Sequence, residues 1–118
     1  MKKILVVDDE DDILNALKII LTRKMFSVET TANWKTIPQT IQTYKPDLIL
    51  LDVSLSGADG RDICNELKGS KETMAIPVVL ISAHYNLINN LKGCKPDAII
   101  TKPFDSSNLL NVITGNLN

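Results

Sequence analysis

The sequence has no pronounced excess of charge of either sign. It carries 13 basic and 14 acidic residues, for a formal net charge of -1. No segment concentrates lysine and arginine in the way that a surface binding the phosphates of nucleic acid does. We therefore expect no direct contact with nucleic acid.

Long hydrophobic runs are missing as well. The longest apolar stretches, such as residues 48–51 and 78–81, are far shorter than the roughly 20 residues that a membrane-spanning helix needs. The residues after Met1 do not form a signal peptide, because the apolar stretch that follows the two lysines ends at Asp8. We expect a cytoplasmic protein that does not enter the membrane.

Cysteine is scarce. Cys64 and Cys94 are the only two cysteines, and neither lies in a CxxC pair or near histidine at metal-ligand spacing. We predict two free thiols in a reducing compartment, most simply as small apolar side chains in or near the core.

The chain has the composition of a protein that folds by itself. It has 118 residues, of which 44% are hydrophobic and 23% charged, as in ordinary globular domains. No linker, repeat or low-complexity tract interrupts it. We predict one domain over residues 1–118, with no effector domain in this chain.

Short β-branched runs alternate with helical patterns along this domain. The predicted strands are residues 4–7, 27–31, 48–51, 78–81 and 98–101. Three of them are fully apolar, as in strands buried on both faces, whereas residues 27–31 have only Val28 as a large apolar residue and are expected nearer an edge. The weakest helical pattern covers residues 86–92. Because parallel strands need right-handed crossovers, the pattern predicts an α/β, doubly wound, five-stranded parallel sheet with helices on both faces.

Polar residues stand where four of these strands end. Asp8 and Asp9 follow the first strand, Asp52 the third, Ser82 the fourth and Lys102 the last. Each has an ordinary structural explanation, such as a charge favouring a helix dipole, a turn cap, a loop hydroxyl or a solvated amine. However, the carboxyl ends of parallel strands meet at one edge of the sheet, where ligand sites form. Together the residues therefore predict a site.

The residue types indicate the chemistry of that site. Three crowded carboxylates repel one another and are tolerated best with a cation between them, for which Mg²⁺ is well suited. Asp52 is then the candidate nucleophile, forming an aspartyl phosphate. Lys102 can pair with one phosphate oxygen, and the hydroxyl of Ser82 can donate a hydrogen bond to another.

These residues, in this order, resemble the receiver domains of two-component response regulators over about Lys3 to Leu117. The matching segments are ILVVDDE at 4–10, PDLILLDV at 46–53, GADG at 57–60, PVVLISAH at 77–84 and TKPF at 101–104. One segment alone is weak evidence, whereas the ordered set is highly specific.

The resemblance implies a flavodoxin-like sheet with strand order 2-1-3-4-5. It implies that Asp8, Asp9, Asp52 and the backbone carbonyl of Ser54 bind Mg²⁺, and that Asp52 accepts a phosphoryl group. It also implies a cis peptide bond between Lys102 and Pro103. The resemblance implies a histidine kinase or phosphotransfer domain as the partner. It further implies that the protein is a monomer or weak dimer, and that the only reaction it catalyses is its own phosphorylation and dephosphorylation.

The sequence departs from the family at the expected signalling surface. Ile99 stands where the family usually has tyrosine or phenylalanine, and the spacing from Ser82 to Lys102 is shorter than usual. An alternative function is therefore a constitutive interaction module on a receiver fold. A magnesium-dependent phosphatase is a poorer match, because position 10 is glutamate where such enzymes have a second aspartate. His84 is expected to face a partner or solvent.

Overall fold

Parallel strands alternate with helices along the part of the chain that the computed structural model describes, residues 1–84 and 89–117. In chain order the elements are β1 (Lys3–Val7), α1 (Asp11–Arg23), β2 (Ser27–Thr31), a 3-10 turn (Trp34–Thr36), α2 (Ile37–Tyr44), β3 (Leu48–Asp52), β4 (Ser54–Leu55), β5 (Ala58–Asp59), α3 (Gly60–Lys68), β6 (Val78–Ser82), β7 (Ala98–Thr101) and α4 (Ser106–Asn116).

The main sheet has five parallel strands in the order β2-β1-β3-β6-β7. Numbered within that sheet, the order is 2-1-3-4-5, so the predicted flavodoxin-like fold is confirmed. β2 lies at an edge, as its lower hydrophobicity indicated. The two-residue strands β4 and β5 form a separate antiparallel hairpin directly after β3, outside the five strands that the sequence predicted.

Alternate residues of the central strands pack into two separate hydrophobic cores, one on each face of the sheet. Leu5 and Leu51 lie on the face covered by α2 and α3, whereas Ile4 and Leu50 lie on the face covered by α1 and α4. Successive side chains of a strand point to opposite faces, so a strand covered on both sides must be apolar throughout. This explains why β3 reads as an uninterrupted apolar run until its last residue, Asp52.

Local sequence signals mark the helix ends. Pro38 lies in the first turn of α2, where its missing N–H costs no helical hydrogen bond. Gly69 ends α3. The side chain of Asp105 caps α4 by accepting a hydrogen bond of 2.7 Å from the backbone N–H of Asn108, which satisfies one of the unpaired donors of the first turn.

The predicted helix at residues 86–92 falls partly outside the described residues, which resume at 89. Its described part, residues 89–92, forms no α-helix. Four α-helices therefore occur in residues 1–84 and 89–117.

The prediction of free thiols was wrong. Cys64 on α3 and Cys94 in the segment before β7 form a disulfide, with their Cα atoms 6.1 Å apart. Because the two residues are far apart in the sequence and carry no motif, only the packing of that segment against α3 reveals the pair.

No described helix is both long enough and apolar enough to cross a bilayer.

Gly60 is required by the close approach of α3 to β3. A Cβ atom at this position would overlap the carbonyl oxygen of Asp52 and lie 2.9 Å from Cα of Val53. Backbone atoms cannot rotate away as a side chain can, so the start of α3 would have to move. The backbone N–H of Gly60 also donates a hydrogen bond of 2.8 Å to the carbonyl of Val53, which holds the two segments at this distance.

We therefore predict that Gly60→Ala lowers the free energy of unfolding by roughly 2 kcal/mol or more, in the range of overpacked sites. The matched control is Gly115→Ala on α4, where an added Cβ meets nothing within 4 Å. That substitution should leave the stability unchanged or raise it by up to about 1 kcal/mol, because alanine favours helix. Urea denaturation of both variants measures the difference, and equal effects would contradict the assignment.

Candidate functional site

A buried polar side chain lies at the carboxyl end of each of three neighbouring strands, at one edge of the sheet. Asp8 follows β1, Asp52 ends β3 and Ser82 ends β6, with exposed fractions of 1%, 3% and 2%. They are the only polar or charged side chains that are buried in the described part of the chain. Burying such groups away from water is costly unless they are paired, so their convergence at one place marks a specialised site.

Lys102 connects two of these groups. Its Nζ donates a hydrogen bond of 3.0 Å to Oδ2 of Asp8 and lies 3.5 Å from Oδ1 of Asp52. Its backbone N–H donates a hydrogen bond of 2.7 Å to the carbonyl of Ser82, because β7 runs beside β6. The peptide bond between Lys102 and Pro103 is cis, as the resemblance implied. The site thus joins residues that lie up to 94 positions apart.

The negative charge of the Asp52 carboxylate is only partly compensated by the positive charge near it. Burial and the nearby charge of Asp8 raise the pKa of Asp52 to about 6, although the charge and hydrogen bond of Lys102 oppose the shift. The charge of Asp9 raises the same pKa further. Burial works against the charged form of Lys102, but its hydrogen bond to Asp8 and the charges of Asp52 and Asp8 outweigh this and raise the pKa of Lys102. The single positive charge of Lys102 therefore does not neutralise the negative charge of the carboxylates around it.

A group of carboxylates beside this pair could hold a cation. Asp8, Asp9 and Glu10 each offer an oxygen, and these oxygens lie within 4.8 Å of one another. Asp8 is buried and the other two are exposed, so the group opens to solvent. Oxygen donors with excess negative charge fit a hard divalent ion such as Mg²⁺. Glu10 was not among the predicted ligands, although the acidic run from residue 8 to 12 was the signal for it.

Asp52 lies outside that three-residue group and is linked to it through Lys102, which contacts both Asp52 and Asp8. Ser54, whose backbone carbonyl was the fourth predicted ligand, is the exposed first residue of β4. The hydroxyl of Ser82 accepts a hydrogen bond of 3.0 Å from the backbone N–H of His84, and His84 itself is exposed. Metal binding by Ser54, phosphate binding by Ser82 and a partner-facing position for His84 therefore remain predictions.

Sequence reasoning missed an ion-pair cluster next to the site. Two guanidinium nitrogens of Arg61 donate hydrogen bonds to the carboxylate of Asp59, the shorter at 2.6 Å. Nη1 of Arg61 also donates a hydrogen bond of 2.8 Å to the carbonyl of Asn90. The hydrogen bonds from Arg61 hold the pKa of Asp59 well below its usual range. Lys92 adds a contact of 3.1 Å to the same carboxylate. No pattern in the sequence could have joined Asp59 and Arg61 to Asn90 and Lys92, because the two pairs lie about thirty residues apart in the sequence.

A cleft of about 510 Å³ opens between this cluster and the site. Val53 and Ser54, which directly follow Asp52, line it together with Arg61 and Asn90. His84 also lines the cleft. The cleft is therefore bounded by the hairpin after β3, the start of α3 and the segment that begins at residue 89.

The fold and the buried acidic site together define the class of protein. Residues 4–114 match the family model described as the response regulator receiver domain. The chain therefore belongs to the response regulator receiver family.

Individual relatives agree with this assignment. The chain is 36% identical over 105 residues to the alkaline phosphatase synthesis transcriptional regulatory protein PhoP of Bacillus subtilis, an alignment that covers 87% of this chain and 43% of PhoP. The chain thus spans less than half the length of that curated relative.

Solved structures agree on the fold. The response regulator TrrA of Thermotoga maritima, solved in complex with Mg²⁺ and beryllofluoride, has a TM-score of 0.89 and 26% identity, over 99% of this chain and all of that one. The signal receiver domain of a signal transduction histidine kinase from Syntrophus aciditrophicus has a TM-score of 0.90 and 28% identity, over 99% of this chain and 90% of that one.

Membership in the family supports a coarse statement of function. Receiver domains of two-component systems are signalling modules with a phosphorylation-dependent role, and they are not classical enzymes. They work with histidine kinases or phosphotransfer proteins, and they typically bind Mg²⁺ at an acidic pocket.

The raised pKa of Asp52 predicts that this residue destabilises the metal-free protein. Its pKa is higher in the folded chain than in the unfolded chain, so the folded state binds more protons between about pH 4 and pH 6 and loses stability as the pH rises through that range. One pKa unit corresponds to about 1.4 kcal/mol, so the penalty at neutral pH is on the order of 2 to 3 kcal/mol.

We therefore expect Asp52→Asn, which removes the charge at nearly constant shape, to raise the free energy of unfolding in the presence of a chelator. The gain over the wild-type chain should grow by on the order of 2 to 3 kcal/mol from about pH 4 to about pH 7.5. Asp62→Asn, at an exposed carboxylate of α3, is the control and should change stability by less than about 0.5 kcal/mol. A gain that does not depend on pH would count against the charge explanation.

Proposed function

We propose that this chain is a phosphorylation-dependent signalling switch in which Asp52 accepts a phosphoryl group from a histidine kinase or phosphotransfer protein. The observation that carries the proposal is the convergence of Asp8, Asp52, Ser82 and Lys102 at one sheet edge, with both carboxylates in contact with the same ammonium group. A purely structural aspartate at a strand end gains nothing from a second buried carboxylate beside it.

The side chains suit the transfer of a phosphoryl group to a carboxylate. In the reaction, a carboxylate oxygen of Asp52 attacks phosphorus, the bond from phosphorus to the donor nitrogen breaks, and an aspartyl phosphate forms. Lys102 already reaches Oδ1 of Asp52 within 3.5 Å and can pair with an oxygen of the incoming group. The hydroxyl of Ser82 can donate a hydrogen bond to another. With a pKa of about 6, Asp52 is largely ionised at neutral pH and can act as the nucleophile.

Asp8, Asp9, Asp52 and the backbone carbonyl of Ser54 are the proposed ligands of Mg²⁺, with Glu10 close to the first two. When bound, the ion neutralises charge on the carboxylates and on the oxygens of the phosphoryl group. The fit rests on the donor set, because hard oxygen ligands in excess over cationic side chains suit a divalent ion. In this proposal the chain catalyses only its own phosphorylation and dephosphorylation, and it works in the cytoplasm as a monomer or weak dimer.

One observation favours a second candidate, a constitutive interaction module. Ile99, on β7, packs partly buried against the core on the α2 and α3 face, at the position where the family usually has a tyrosine or phenylalanine that changes rotamer. A branched aliphatic side chain cannot make that movement. Backbone NMR spectra with and without beryllofluoride and Mg²⁺ separate the two candidates, because a constitutive module should show no shifts beyond residues that contact the ligands.

Phosphoryl acceptance can be measured directly by mass spectrometry. We expect the intact mass to rise by one phosphoryl group on incubation with a small acyl phosphate and Mg²⁺, and to stay unchanged for Asp52→Ala. Asp62→Ala, which removes an exposed carboxylate of α3, is the control and should gain the group normally. Equal gain in Asp52→Ala and the wild-type chain would show that the modified residue lies elsewhere.

Metal binding has its own test. We expect Asp9→Asn to weaken Mg²⁺ binding at least about tenfold, because it removes one charge from the donor group. Asp11→Asn, at the exposed start of α1 and outside that group, should bind Mg²⁺ nearly as the wild-type chain does. Isothermal titration calorimetry measures both, and equal losses in the two variants would indicate only a diffuse effect of surface charge.

A further inference from the structure

A disulfide joins the central part of α3 to the segment at residues 89–94, which we call the wall segment. Cys64 lies on α3 and is fully buried, and Cys94, at the end of the wall segment, is 4% exposed. The distance between their Cα atoms, 6.1 Å, is within the ordinary range for a disulfide. The two residues are therefore close enough to form the bond in the native fold.

Apart from this bond, few and mostly exposed contacts hold the wall segment to α3. The amide of Asn65 donates to the carbonyl of Lys92 at 3.0 Å, and Arg61 donates to the carbonyl of Asn90 at 2.8 Å. The ammonium group of Lys92 pairs with Asp59 but its side chain is 44% exposed, and exposed ion pairs contribute little. Within the wall segment, only Leu91 packs partly buried against the core beside Cys94.

Residues 90–94 of the wall segment also lack the hydrogen-bond ladder of a helix or strand. Its described residues contribute nothing to the five-stranded sheet, which resumes at Ala98. Lys92 and Gly93 have positive φ angles of 53° and 78°, so the segment is a turn and not an extension of a regular element. Segments with few buried contacts are those that open first in a folded protein, so the covalent link decides how firmly this one is held.

The position of the wall segment matters to the candidate site. Asn90 lines the same cleft as Val53 and Ser54, the two residues that directly follow Asp52. Arg61, which contacts Asn90, lies one residue after Gly60, the residue that packs on the backbone of Asp52. The disulfide thus holds one wall of the cleft to the helix whose first turn touches the phosphoacceptor strand.

We propose that Cys64 and Cys94 form a thiol–disulfide redox site that holds the wall segment when oxidised and releases it when reduced. The cytoplasm keeps most thiols reduced, and disulfides that form there are usually transient or redox-sensing. In such a compartment this pair cycles between two states. The effect on phosphoryl transfer rests on the function proposed above, whereas the release of the wall segment does not.

The chemistry is ordinary thiol–disulfide exchange with a dithiol reductant. A thiolate of the reductant attacks Sγ of Cys94, the S–S bond breaks, and its electron pair passes to Sγ of Cys64, which takes up a proton. The second thiol of the reductant then displaces Cys94. The reductant leaves as a disulfide and the protein carries two thiols. A disulfide oxidant such as oxidised glutathione reverses the reaction.

The redox site is tested first without reference to phosphorylation. The full chain is treated with dithiothreitol or with oxidised glutathione, and free thiols are counted by alkylation and mass spectrometry. We expect two alkyl groups after reduction and none after oxidation. Amide hydrogen exchange in the wall segment should be at least about fivefold faster in the reduced chain, the lower end of typical couplings, whereas exchange in β3 stays the same. Two free thiols after oxidation, or equal exchange of the wall segment in both states, would overturn the proposal.

The matched control is the double variant Cys64→Ala and Cys94→Ala, in which neither reagent should change exchange. Because the reduced wild-type chain carries no substitution, the comparison does not depend on whether this variant folds. The link to the site is tested by the rate of phosphoryl gain from an acyl phosphate, which should rise about fivefold or more on reduction. An equal or slower rate would overturn that link. No phosphoryl gain in either state, with the exchange response intact, would contradict the proposed function and not the redox site.

Discussion

The shared contact of Asp8 and Asp52 with the ammonium group of Lys102 is the interaction on which the site depends. Two carboxylates that are almost fully buried repel each other more strongly than they would in water, because little solvent lies between them to screen their charges. Lys102 lies within 3.5 Å of both but supplies one positive charge against two. The pKa of Asp52, raised to about 6, is the measure of what remains uncompensated. A site in this condition gains free energy when it binds a cation or when Asp52 becomes bonded to a group that Lys102 can contact.

The rest of the fold keeps these groups where they are. β3 and β6 are buried along their whole length between two layers of helices, and β1 at every residue after Lys3. The carboxyl ends of these strands therefore cannot move apart without disturbing both cores. Gly60 lets the start of α3 approach the backbone of β3 at Asp52. A change at the end of β3 can therefore reach α3 and, through Arg61, the carbonyl of Asn90. That route does not use Ile99, whose side chain cannot make the movement of an aromatic one.

The sequence predicted the elements that depend on local pattern. The apolar runs at β1, β3 and β6 and the polar residues after them were enough to predict a parallel sheet and to place Asp8, Asp52 and Ser82 at one edge, because a parallel sheet aligns its strand ends. The strand order followed from the resemblance to receiver domains. What it did not predict depends on contacts between distant segments. The disulfide between Cys64 and Cys94 and the contact of Arg61 with Asn90 require the wall segment to pack against α3, and no periodicity or motif encodes that packing. Glu10 was overlooked for a different reason: its acidic neighbours suggested a helix N-terminus, and the proximity of its oxygens to those of Asp8 and Asp9 appears only in three dimensions.

The most direct test of this account is the titration of the Asp52 carboxyl carbon by ¹³C NMR in the presence of a chelator. The account predicts a pKa of about 6 for the wild-type chain and a still higher value for Lys102→Met, because Lys102 is the group that lowers it. Lys18→Met, at an exposed lysine of α1, should leave the value unchanged. An Asp52 that titrates near the ordinary value for aspartate, about 4, and does not respond to the loss of Lys102 would contradict the central claim.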